Sequence, residues 1–87
     1  MLVEIGAGRG ALVLYAPADQ LGTELEIGSL RGPHVHVHTA VRERNLPGGS
    51  VCAALFGSLP VGRYRVRGTG QVVSVEDGAV AEVHLGA

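Results

Sequence analysis

The segment Leu59-Pro60-Val61-Gly62 is a turn signal that runs directly into Arg63-Tyr64-Arg65-Val66-Arg67, where cationic and apolar side chains alternate with a period of two. That period puts Tyr64 and Val66 on one face of a strand and the arginines on the other, which no helix can do. A second apolar stretch (Val72 to Val75), an Asp77-Gly78 turn signal and a last alternating stretch (Val80 to Leu85) follow, as in the closing hairpins of small β-domains. The same punctuation recurs upstream, giving further strands at Leu2-Ile5, Ala11-Tyr15, Glu24-Ile27, Val35-Val41 and Val51-Phe56. No segment carries ten residues of helical periodicity free of Gly or Pro. The expected fold class is therefore all-β, one domain over residues 1–87, with seven or eight short strands closing a sandwich or a small barrel.

With 87 residues, 46% of them apolar, the chain is too hydrophobic for disorder and close to the lower size limit for autonomous folding. A chain of this length buries only ~60% of the surface its unfolded form exposes. Its aromatics are Tyr15, Phe56 and Tyr64 alone, so the core must be built mostly from Val, Leu, Ile and Ala. Small side chains suit two closely packed sheets better than a roomy cavity. A net charge of −1 gives no global attraction to nucleic acid, and every basic residue is Arg. The apolar run near Ala11 to Ala18 is far short of the ~20 residues that span a bilayer, and Met1-Leu2-Val3-Glu4 does not open a secretory leader. A single cysteine, Cys52, forms no intrachain disulfide, so a cytoplasmic location without membrane contact is expected.

Leu12 to Ile27, followed by Leu55-Phe56-Gly57-Ser58-Leu59-Pro60-Val61-Gly62-Arg63-Tyr64-Arg65-Val66, resembles the prealbumin-like sandwich, which includes carboxypeptidase regulatory-like and collagen-adhesin B-type domains. The resemblance implies an antiparallel prealbumin-like β-sandwich in which Glu24-Ile27 lies between Val35-Val41 and Arg63-Val66. It does not transfer a function. Adhesin-type domains often carry a Lys-Asn isopeptide crosslink, which a chain without Lys cannot make, and the related hydroxyisourate hydrolases end in Tyr-Arg-Gly-Ser where this chain has His84-Leu85-Gly86-Ala87.

Two stretches invite sharper chemistry. Glu4-Ile5-Gly6-Ala7-Gly8-Arg9-Gly10 matches the glycine-rich turn of nucleotide-type cofactor sites, but that turn must open a helix, and Ala11 to Ala16 has strand character and ends at Pro17. His34-Val35-His36-Val37-His38 sets three imidazoles on one strand face, ~6.6 Å between neighbours. Two of them can chelate a divalent ion such as Zn or Ni if a neighbouring strand adds Glu24, Glu26 or His84. Gly28-x5-His34-x-His36 also fits the opening of a cupin metal motif, although Glu43 is misplaced for it and Arg65 stands where the second motif requires His.

The arginines form strand-face stripes: Arg63, Arg65 and Arg67 on one strand, and Arg42 and Arg44 continuing the face of His34 to His38. Such a surface binds an anion or an acidic partner through forked hydrogen bonds, or is simply a solvated face balanced by Glu24 and Glu26. Cys52, among small apolar residues, reads as packing. The expectation is a non-enzymatic interaction or accessory module without a cofactor, its partner a protein or a second copy. The alternative is a cupin-like metal protein built on His34, His36 and His38. Strands near the termini without Lys or Pro leave open edges, so a homo-oligomer is expected.

Overall fold

The fold, given by a computed structural model, is described for residues 8–31 and 35–85. Eight strands occupy them: β1 (Arg9–Ala16), β2 (Glu24–Ser29), β3 (His36–Ala40), β4 (Arg42–Leu46), β5 (Gly49–Pro60), β6 (Gly62–Val66), β7 (Val72–Val75) and β8 (Val80–His84). They form two four-stranded sheets with orders β4-β5-β1-β8 and β3-β2-β6-β7. The only helical element among these residues is a single 3-10 turn, Ala18–Gln20, and no described helix could cross a membrane. The expected strand Leu2-Ile5 lies outside the described residues.

The core is the layer between the sheets. Leu12, Leu14, Ala54 and Phe56 from one sheet meet Ile27, Tyr64, Val66, Val73 and Val75 from the other. Period two accounts for each of these contributions. β1 is buried on both faces from Gly10 to Leu14, as its unbroken apolar run requires of a strand central to its sheet. The Tyr64 hydroxyl donates to Pro60 O (2.6 Å), tying the aromatic at the middle of β6 to the turn that precedes it.

Two expectations are corrected. The sandwich is not wholly antiparallel: β8 pairs with β1 in parallel, Ala11 opposite Val80 through Tyr15 opposite His84. The Asp77-Gly78 turn does not close a hairpin, because it carries the chain from β7 in one sheet to β8 in the other. The start of β1 captures it there: Gly78 N–H donates to Arg9 O (2.8 Å), Gly8 N–H to Asp77 Oδ1 (2.8 Å) and Ala11 N–H to Ala79 O (2.9 Å). The second correction is at Val41. The buried Val41 exchanges backbone hydrogen bonds with the loop before β2, Val41 N–H to Thr23 O and Gly22 N–H to Val41 O, and there the chain leaves one sheet for the other. Arg42 and Arg44 consequently lie in β4, opposite Ala53 and Val51, and not on the face of the histidines.

Between Gly10 opposite Leu59 and Leu12 opposite Phe56 the β1–β5 register slips by one residue, a bulge on β5. Ser58 sits in it with φ +53°, the left-handed region that a side chain disfavours by roughly 1–2 kcal/mol. Ser58→Gly should therefore be neutral or stabilising by up to ~1 kcal/mol, and Ser58→Val should cost more than ~1 kcal/mol, as read from urea midpoints. A stabilising Ser58→Val would contradict the bulge.

Candidate functional site

The outer face of β3-β2-β6 is where the sequence-derived candidates meet. Glu26 is opposite His38, Gly28 is opposite His36 on one side and Arg65 on the other, and Arg67 N–H donates to Glu26 O just beyond β6. With Ile27, Tyr64 and Val66 buried, alternation turns Glu24, Glu26, His36, His38, Arg63 and Arg65 outward together. The placement of β2 between β3 and β6 is as the resemblance implied, and alternation from that order puts His36 on the same side as Glu26. No helix follows Gly10.

The acid–base contacts run diagonally across the strands. His38 Nδ1 lies 3.0 Å from Glu24 Oε2 and His36 Nδ1 3.5 Å from Glu26 Oε2, while Arg67 Nη1 reaches Glu26 Oε1 at 3.3 Å. Glu26 thus bridges His36 and Arg67. These groups are largely exposed, so each pair contributes at most about 1 kcal/mol. The diagonal arises in part because Gly28 has no side chain. The His36 ring lies across it, and a Cβ there would be 3.1 Å from His36 Cε1. His36 and Arg65 thereby flank a shallow groove of about 240 Å3, to which Glu26, Leu30 and Arg67 also contribute. Sequence reasoning placed Gly28 in a possible cupin motif and missed both its role beneath the His36 ring and Leu30; the available signal was a glycine at an outward position of an otherwise regular strand.

Three guanidinium groups face two carboxylates on this surface, and among the described residues Arg63 and Arg65 make no ion pair. Among the described residues the face therefore presents two guanidinium groups without a carboxylate beside a ladder of paired acids and bases. As metal ligands the same side chains are less well arranged. His38 with Glu24 and His36 with Glu26 are separate pairs, and no group of three or more His, Cys, Asp or Glu is placed to share an ion among the described residues. His34 lies outside them.

Two other places hold chemistry. Cys52 is half-buried against the core, opposite Ala16 and Glu43. On the same sheet as Cys52, the Tyr15 hydroxyl donates to Glu82 Oε1 and its ring stacks on His84, centroids 4.6 Å apart and planes 17° apart. This cluster escaped the sequence because it exists only when β8 lies beside β1. The hydrogen bond to Glu82, then partial burial and the carboxylate's charge, push the Tyr15 phenol above its ordinary range. A tyrosine so held is a donor to its neighbour and a poor general base. A cavity of about 430 Å3 at one end of the sandwich is lined by Ser29, Leu30, Val35 and Tyr64 with Arg31 and Arg63, and among the described residues that line it there is no nucleophile–base pair. Comparisons with protein families, curated proteins and solved structures find no match for the chain.

Proposed function

We propose that the chain is a non-enzymatic interaction module of prealbumin-like architecture that takes an acidic segment of a protein partner on its β3-β2-β6 face. The observation that carries the reading is the imbalance there: Glu24 and Glu26 are engaged by His38, His36 and Arg67, whereas Arg63 and Arg65 have no described carboxylate. A guanidinium in this state gains most from a carboxylate brought by a partner, because its forked donors fit one bidentately. Leu30 and Val61, both exposed beside Arg63 in the end cavity, add apolar area next to the charge. The position of β2 between β3 and β6, the order expected of such a sandwich, supports the prealbumin-like assignment.

A glutamate-rich peptide titrated into the protein, followed by backbone amide shifts, tests the proposal. Shifts should concentrate on β2, β3 and β6 and shrink as salt is raised. Arg65→Ala should weaken binding about five- to tenfold. Shifts scattered over both sheets, or binding indifferent to salt and to Arg65, would reject it. Near-stoichiometric Zn or Ni retained by protein purified without a nickel column would assign the histidine face to metal instead.

A further inference from the structure

The edge at β8 has a property that the other described edges lack. In the parallel pair with β1, Leu85 N–H donates to Tyr15 O (2.7 Å) and Ala11 N–H to Ala79 O (2.9 Å). Backbone groups of alternate residues in a parallel ladder point to the same neighbour, so Ala79, Ala81, Val83 and Leu85 turn theirs toward β1. Val80, Glu82 and His84 turn theirs away from it. Among the described residues no strand covers that side.

Self-pairing at an open edge brings together side chains of one face, so each edge can be judged by what it would set opposite itself. β4 would oppose Arg42 and Arg44 to each other or to Leu46, and β3 would oppose only His36, His38 and Ala40. β7 has four residues and no charge. On β8 the outward set is Val80, Glu82 and His84, and it alone contains a complementary pair. The three outward residues must meet one another, which leaves three antiparallel registers. An axis at Ala81 sets Val80 against Glu82, an axis at Glu82 sets the two carboxylates against each other, and an axis at Val83 sets Glu82 against His84 twice. Tyr15 already holds both side chains in place, one by its hydroxyl and one by its ring.

We infer that the chain forms a two-fold dimer by antiparallel pairing of β8 with β8 of a second copy, the axis at Val83 and each Glu82 opposite His84 of the other copy. The β4-β5-β1-β8 sheet then continues across both copies, and the acidic-partner face on the other sheet stays open in each.

Sedimentation of the full chain over a micromolar concentration series tests this, with the thermal midpoint of each variant as the check on folding. The wild type should pass from monomer to dimer within that series. His84→Glu opposes two carboxylates at each of two symmetric places and should raise the dimer dissociation constant about tenfold or more. Glu82→Lys combined with His84→Glu restores opposite charges in the Val83 register and should return it to within about threefold of wild type. In the register centred on Glu82 the same double variant opposes Lys to Lys and would stay weak. If His84→Glu lowers the thermal midpoint, Glu82→Lys alone replaces it and should weaken the dimer similarly. A wild type monomeric throughout, or a double variant no tighter than the single one, overturns the inference.

Discussion

Tyr64→Ala is expected to remove most of the stability of this domain, at a cost of about 4 kcal/mol. Tyr64 is one of three aromatics in the chain, is 1% exposed, and stands where β6 packs against the opposite sheet. With so few large side chains nearby, the surrounding valines and alanines have little with which to refill the space. Small domains have only some 5–10 kcal/mol in total, so a large unfolded fraction should be present at 37 °C. Tyr64→Phe keeps the ring and removes only the hydrogen bond to Pro60 O, costing about 1 kcal/mol.

The pair of variants also separates packing from ionisation. Burial raises the Tyr64 phenol above its ordinary value, with Arg9 offsetting part of the effect. Because the folded state favours the neutral form, the associated stability is complete below the unfolded-state value of about 10 and declines as pH rises through the higher folded value. Urea midpoints of the wild type should therefore fall above about pH 10, and less steeply in Tyr64→Phe. The remaining slope should include Tyr15, whose phenol is raised by Glu82. A Tyr64→Ala cost near that of a surface substitution would show that the core is not centred on β6.

The elements legible in the sequence are those whose pairing shows in their own alternation. β6 and β7 each bury every second residue and leave the residues between them at the surface, and a period of two says as much. β4 was invisible for the complementary reason: Arg42-Glu43-Arg44-Asn45-Leu46 has no buried face, and β5 alone holds it. Val35 to Val41 reads as one strand because nothing local distinguishes Val41 from Val37. The sheet switch there is made by Thr23 and Gly22, almost twenty residues away. The Asp77-Gly78 turn is a similar case. Its residues are those of a tight hairpin, and what bends the chain into the other sheet is its capture by Gly8 and Arg9.

The candidate face followed the same rule. Glu24, Glu26, His36, Arg63 and Arg65 could be placed together once β2 was set between β3 and β6, since alternation then fixes which side each occupies. The diagonal contacts and the His36 ring across Gly28 depend on side-chain conformation, about which a pattern says nothing. Arg42 was misassigned because continuity of sequence was taken for continuity of sheet. The Tyr15, Glu82 and His84 cluster required the parallel β1–β8 register, which is the feature that local turn chemistry disguised.

That register depends on one close approach, and Gly10→Ala is the substitution that should break it. A Cβ at Gly10 would lie 2.3 Å from Glu76 O, 2.8 Å from Val75 Cγ1 and 3.0 Å from Ala79 O. The valine can change rotamer, but the two carbonyls belong to the crossing main chain. Moving them strains the bonds from Gly78 N–H to Arg9 O and from Ala11 N–H to Ala79 O, which seat β8 beside β1. Relief and clash are thus opposed, and the expected cost is about 3 kcal/mol or more, at the upper end for an added methyl group. Asp77→Ala is the calibration, since it removes one exposed bond from the same crossing, to Gly8 N–H, and should cost about 1 kcal/mol. Amide exchange should localise the damage: in Gly10→Ala the amides of Val83 and Leu85, which face β1, lose protection ahead of those in β2 and β6. If Gly10→Ala costs no more than Asp77→Ala, or if β8 keeps its protection, the chain does not cross so tightly over Gly10. The parallel pairing, and with it the outward presentation of Glu82 and His84, would then need another cause.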